Sequence, residues 1–270
     1  MSRTPAHIAT AVLLTALAGP ALAQTRAAPS APAAAAEQPR RPADAATRAA
    51  YDRADPLMRS VFWSEQAAID PSDATAGLKS AEALRDMGQY AQATEAAQKV
   101  LMVQPNQYDA LLEVGRNQIA VGQAFYGIAP LEQAHAARPD DWRPLSLLGA
   151  AYQQVRRPDD AQVAWTSALE RSPENPDVLT NMAMARISGG DVAGAEALLR
   201  RATARPGASL KVQLNLAMAL GLNGKLGEAE QILRRALPPE QADSNLAWLR
   251  QHAGGPGADS ARTWNSLSGG

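Results

Sequence analysis

The apolar and polar positions of this chain recur with a fixed period. One pattern starts at Ala74 and restarts at Tyr108, Trp142, Pro176 and Leu210, each 34 residues after the last and without an insertion. Each unit predicts two helices of about thirteen residues joined by a short turn, ten helices in all over 74–243. The eighth position reads Ala81, Gly115, Gly149, Ala183 and Ala217, and the twentieth reads Ala93, Gly127, Ala161, Ala195 and Ala229. Small residues belong there because paired antiparallel helices approach closely only where side chains leave room. The twenty-fourth position is mostly large (Ala97, Leu131, Trp165, Leu199, Leu233), and the twenty-seventh is small (Val100, Ala134, Ala168, Ala202, Ala236). A bulky group on the second helix therefore fills the space beside the small contact and packs on the next unit.

Punctuation follows the same register. Gly88, Gly122, Gly190 and Gly224 hold the fifteenth position, where the first helix needs a left-handed C-cap residue. The third unit has Arg156 there, followed by Pro158, which predicts a different turn. Pro105, Pro139 and Pro173 stop the second helix at the thirty-second position; the last two units carry Gly207 and Gln241. Outside the repeats, 51–73 predicts an N-terminal capping helix over Pro56 to Ile69, with Val61, Phe62 and Ala68 as contacts. A C-terminal capping helix is expected over 241–252, with Leu246 and Leu249 facing the stack, before a glycine-rich flexible tail over 253–270. Trp264 and Leu267 are the large apolar residues near the end of that tail.

The period and its small and large positions resemble the tetratricopeptide repeat (TPR) family across 74–243, with units at 74–107, 108–141, 142–175, 176–209 and 210–243. The resemblance implies an all-α fold, a right-handed α-solenoid of about five helix-turn-helix repeats. A narrower likeness lies in VQLNLAMALGLNGKLGEAEQILRRALPPEQADSNLAWLRQ, residues 212–251, above all Leu-Pro-Pro-Glu at 237–240 followed by Asn245-Leu246-Ala247. This segment resembles the C-terminal end of TadD-type assembly proteins of the Tad/Flp pilus. That resemblance implies a periplasmic or outer-membrane-associated factor whose partner is a pilus secretin or another Tad component.

The N-terminus sharpens the location. Arg3, the apolar run Ile8 to Ala18, the breaker Gly19-Pro20 and the small-x-small triplet Ala21-Leu22-Ala23 make up a secretory signal over 1–23, with cleavage between Ala23 and Gln24. As a helix that run spans only about 16 Å, half of a hydrocarbon core of roughly 30 Å, so no membrane span is expected to remain after processing. Many TadD relatives are lipoproteins, but Pro20 stands where the acylated cysteine would follow Leu17-Ala18-Gly19. Without that thiol a lipoprotein is not expected. The mature chain then opens on 24–50, with twelve Ala and four Pro, read as a disordered tether.

Composition removes whole classes of chemistry. There is no cysteine, so disulfides, thiolate metal sites and cysteine nucleophiles are excluded. With 26 Lys+Arg against 27 Asp+Glu, no global field favours nucleic acid. Of the three histidines, His7, His135 and His252, no two have metal-ligand spacing, and no glycine loop ends in Lys-Ser/Thr. No enzyme, metal or cofactor is expected; a protein or peptide partner is, with an oligomeric state that the residues do not specify.

In the resembled family the first helix of each repeat lines a concave face, and positions 2, 5, 6, 9, 12 and 13 point into it. On this chain those positions give Arg116, Arg143, Ser146, Ala150, Gln153, Gln154, Asn181, Met184, Lys211, Asn215 and Met218. Asn181 and Asn215 share the sixth position and present amides suited to an extended backbone; Met184 and Met218 share the ninth and offer an adaptable apolar floor. Solvated amides and methionines packed in the core are the alternatives. Some relatives grip a terminal carboxylate with a Lys/Asn/Arg clamp. Here only Asn181 and Lys211 match it, while Ser146, Ala150 and Asn215 depart.

Overall fold

The computed structural model describes residues 40–205 and 208–253. The expected signal with its Ala23/Gln24 cleavage point, the tether as far as residue 39, Gly207 and the tail from 254 on lie outside the described residues. Thirteen helices are present among the described residues. They are α1 (Ala45–Tyr51), α2 (Pro56–Ile69), α3 (Ala74–Asp86), α4 (Tyr90–Val103), α5 (Tyr108–Ala120), α6 (Ala124–Ala137), α7 (Trp142–Gln154), α8 (Pro158–Arg171), α9 (Pro176–Ser188), α10 (Val192–Thr203), α11 (Leu210–Leu222), α12 (Leu226–Ala236) and α13 (Pro239–His252). Each helix packs on the next in an all-α solenoid of helical hairpins.

Two local devices set the helix boundaries. Residue 34 of each unit caps the first helix of the following one. Asp73 accepts from the Ala76 amide at 3.0 Å, Gln107 from Ala110 at 2.6 Å and Asp141 from Arg143 at 2.9 Å. Asn175 accepts from the amides of Asp177 and Val178, and Ser209 from Val212. A side-chain acceptor there satisfies an amide that the helix itself leaves unpaired. All five first helices, α3, α5, α7, α9 and α11, consequently run for thirteen residues.

The second device is the turn between the two helices. Gly88, Gly122, Gly190 and Gly224 have φ between 73° and 87°. Arg156 corrects the expectation of a different turn: it takes φ 63°, and the Arg157 amide donates to the Tyr152 carbonyl at 2.8 Å. Asp191 donates to Arg186 and Lys225 to Leu220 in the same six-residue closure. The hairpin fixes the backbone, and the arginine accepts a left-handed conformation that costs about 1 kcal/mol.

The ends depart from expectation. α1 occupies 45–51, partly inside the expected tether and partly inside the expected capping segment. Asp44 accepts from the Thr47 amide at 2.8 Å, and Tyr51 stacks on Phe62 with centroids 3.9 Å apart. The helix α2 starts at the same place in the register as α4, α6, α8, α10 and α12, and Pro71 falls 34 residues before Pro105. The expected N-terminal cap is thus the second helix of a shortened sixth hairpin. Phe62 is buried as expected, but Trp63, only 2% exposed, takes the large twenty-fourth position, and Val61 and Ala68 face outward. At the other end Pro239 starts α13 two residues early, with Leu246 and Leu249 buried. Proline suits the first helical turn, where its missing N–H is not needed.

Packing follows the small and large positions. A methyl group added to Gly149 would meet the Trp165 indole, and one on Gly115 would meet Leu131. The Trp165 Nε1–H donates to the Ser146 carbonyl at 3.1 Å, joining α8 to α7. Between the fourth and fifth repeats a polar clasp adds to the core. The buried Glu196 carboxylate accepts from Arg200 Nε at 2.9 Å, Asn223 Nδ2 at 2.7 Å and Lys225 Nζ at 2.7 Å. Burial opposes its ionisation, and these three donors outweigh that, holding its pKa at about 2.

Candidate functional site

The face expected to receive a partner is built by the first helices of the repeats. It divides into a charged half and an amide half. In the charged half Lys79 and Glu113 hold the sixth position, Glu82 and Arg116 the ninth, and Arg85 the twelfth. Glu113 is buried and paired on both sides, by Arg85 Nε at 3.0 Å and by Arg116. Burial raises the Glu82 pKa; Lys79 works against this and the Glu113 charge adds to it. The two arginines keep part of their guanidinium surface in solvent while Glu113 fixes their direction. A preoriented cation of this kind binds carboxylates with less loss of side-chain entropy.

Arg143 lies at the edge of this half. Its guanidinium holds Asp141 through Nε at 3.0 Å and Nη2 at 2.6 Å and sits over the Tyr108 ring, 5.4 Å from the centroid. Arg138 covers the same ring at 4.0 Å. Burial works against the Asp141 charge, but hydrogen bonds from Arg143 hold that carboxyl at about 2. Burial first, and then Asp141, push the Tyr108 hydroxyl upward. This cluster is a brace between repeats two and three.

The amide half differs from the expected groove. Asn181 is half-buried and donates from Nδ2 to the Ser146 hydroxyl at 3.2 Å; Met184 and Gln153 beside it are half-buried, and Lys211 is exposed. Ser146, Asn215 and Met218 are corrected: they are buried and present nothing to a partner. Ser146 lies beneath Asn181 as its acceptor. Asn215 and Met218 are on α11, on which α9, α10, α12 and α13 all pack. Gln154 is also engaged, accepting from the Ala124 amide and donating to the Ile119 carbonyl, both at 3.1 Å.

Arg116, Gln153, Asn181 and Met184 therefore stay partly accessible on the first helices of the second, third and fourth repeats, as do Arg143 and Lys211 at the starts of α7 and α11. Lys79, Glu82, Arg85 and Glu113 were missed because the positional rule was applied only from the second repeat on, and there only to part of the face. Extending it to positions 6, 9 and 12 of the first two repeats names them. Among the described residues no group of three or more His, Asp or Glu could hold a metal ion, and no helix is long and apolar enough to cross a membrane.

With this geometry in place, comparison with known proteins becomes informative. Residues 154–209 match the family model of the tetratricopeptide repeat. The fold is that of a tetratricopeptide-repeat solenoid. Among curated proteins none matches it. MamA from Desulfovibrio magneticus RS-1, solved from its residue 41 onward, is 23% identical, with a TM-score of 0.51 over 59% of this chain and 90% of that one. A thermophilic TPR protein of Thermus thermophilus is 19% identical, with a TM-score of 0.59 over 66% and 99%. The Cut9–Hcn1 hetero-tetramer of APC/C is 14% identical, with a TM-score of 0.62 over 82% of this chain and 44% of that one. At these identities the likeness is one of fold. A TPR solenoid is a protein-interaction scaffold, and it suits a protein or peptide partner.

Proposed function

We propose that this protein is an exported TPR factor that holds a protein or peptide partner along its first-helix face and helps assemble a Tad/Flp-type pilus or its secretin. The observation behind the binding mode is the placement of Arg116 and Asn181 on the first helices of the second and fourth hairpins, each fixed by an intramolecular partner and each partly open to solvent. An extended segment with a carboxylate near Arg116 and backbone amides near Asn181 suits that spacing. The pilus assignment rests on the 237–247 segment, whose Pro239 starts α13 and whose Asn245 and Leu246 seat it. Location in the periplasm of a Gram-negative bacterium, with outer-membrane association through a partner, rests on the N-terminal signal pattern.

Gene deletion tests the assignment. Loss of surface pili and of secretin multimers is expected; normal numbers of both would reject it. A second reading, a scaffold for another envelope complex, rests on the same face without the 237–247 likeness. Affinity capture from envelope extract separates the two by which assembly is recovered. An Arg116→Ala/Asn181→Ala double variant should recover its partner several-fold less well at unchanged helicity, and equal recovery would remove this face as the binding site.

A further inference from the structure

The outer face at the N-terminal end has features that the partner-binding face does not explain. Positions four and seven of a repeat carry Leu111 and Val114, or Leu145 and Leu148, in the second and third units, all buried between neighbouring second helices. In the first unit the same positions hold Gly77 and Ser80. Val100 of α4 fills the place of a Gly77 side chain, and with Ser80 they line a groove of about 660 Å³ between α2 and α4, floored by α3. Beside it Leu57, Val61 and Met102 are 59%, 63% and 75% exposed. Met58 and Val103 are exposed as well, so α2 is apolar and bare at its start and α4 at its end.

The order of residues along the two helices says what covers it. The outward stripe of α2 reads Leu57, Val61, Ser64, Ala68, large at its start and small at its end. The matching stripe of α4, at the same four register positions, reads Ala91, Glu95, Gln98, Met102, small at its start and large at its end. Each stripe is complementary to an antiparallel copy of itself. Leu57 meets Ala68 and Val61 meets Ser64 across one pair of helices, and Ala91 meets Met102 across the other. The same overlay brings Glu95 of one copy near Lys99 of the other, twice, and among the described residues neither has an ion-pair partner.

Both stripes have their midpoint at the same level of the repeat, so one two-fold axis serves both. We propose that this protein forms a two-fold homodimer through the outward faces of α2 and α4, with Leu57 and Val61 of each copy closing over the groove of the other. An isologous contact repeats every interaction twice. It buries on the order of 1,000 Å² or more in total, the lower range of a specific interface. The partner-binding face remains open on both copies, which makes the dimer a two-armed scaffold.

The test is the mass of the full chain by sedimentation equilibrium, with helicity and melting followed in parallel. A dimer is expected at about 10 μM. Val61→Asp should weaken it at least tenfold at unchanged helicity, because Val61 is exposed in the single chain. Glu95→Lys should weaken it, Lys99→Glu likewise, and the Glu95→Lys/Lys99→Glu exchange should restore it. The chain has no cysteine, so a Leu57→Cys/Ala68→Cys variant gives a second readout. Oxidation should yield a covalent dimer, since eleven residues of helix, about 16 Å, prevent a link within one copy. A single-chain mass at 100 μM would overturn the proposal and assign the groove to an unlike helix. A dimer indifferent to both Val61→Asp and Glu95→Lys would overturn it as well.

Discussion

The first and fifth repeats share a backbone and differ in what fills it. The buried apolar residues of 74–107 are Ala76, Ala81, Ala83, Ala93, Ala97 and Val100. Those of 210–243 include Leu214, Leu216, Met218, Leu220, Leu222 and Leu233. Both first helices run for thirteen residues from a side-chain cap to a left-handed glycine. Caps and turns fix the hairpin; the size of the buried side chains decides how tightly it closes. The alanine repeat keeps a groove of about 660 Å³ on its outer face; the leucine repeat keeps a smaller one of about 460 Å³ at Gln213 and Leu216, and its Asn215 and Met218 are buried. One end of the solenoid is made for contact and the other for cohesion.

The largest expected effect tests cohesion. Leu233→Ala should cost about 3 kcal/mol in urea unfolding, whereas Ala97→Gly, at the same register position of the first repeat, should cost only about 1 kcal/mol, mostly from helix propensity. Equal costs would mean that the two cores do not differ in the way their side chains imply. Next is the clasp that joins the fourth and fifth repeats. Glu196→Gln should cost about 2 kcal/mol by weakening three charge-assisted hydrogen bonds. With its carboxyl at about 2 in the fold and an ordinary value of 4.5, the stabilisation from Glu196 is whole above about pH 5. It is lost as pH falls from 4.5 toward 2, so the acid limb of a stability–pH curve should flatten in the variant.

Smaller effects sharpen the middle and the open end. Arg156→Gly should raise stability by about 1 kcal/mol, because a glycine takes the observed φ of 63° without strain; thermal melting would show it as a shift of a few degrees. Ser80→Val, which places in the first repeat the residue that Val114 supplies in the second, should change stability by less than about 1 kcal/mol. Filling part of the groove gains apolar burial, and losing the Ser64–Ser80 hydroxyl contact at 2.7 Å offsets some of it. A loss of several kcal/mol would instead show that the groove is closed in solution.

Much of this architecture was legible as letters. The period located the ten repeat helices because each boundary is a local event: an acceptor at position 34 capping an amide, a glycine or proline ending a helix. Arg156 was misjudged for an instructive reason. A turn closed by the packing of two helices can impose a left-handed φ on a residue whose own preference is weakly against it. α1 was missed because its alanines carry no stripe of their own; Phe62 and Trp63, on a different helix, supply the surface it covers. For the candidate site the register named the face but not its depth. Asn181 and Asn215 occupy the same position in neighbouring repeats, yet only the second is buried, on a helix that α9, α10, α12 and α13 surround.

By itself the sequence determined the repeat, its length, its helix ends and the all-α class, because hydrogen-bond caps, helix breakers and small-to-large spacing act within a few residues. Only the tertiary structure decided which of the repeated positions remain accessible, that Arg116 is steered by a buried Glu113, and that a groove runs over α3 between α2 and α4. Those outcomes depend on neighbours a whole repeat away, and accessibility is a property of what packs over a residue, not of the residue.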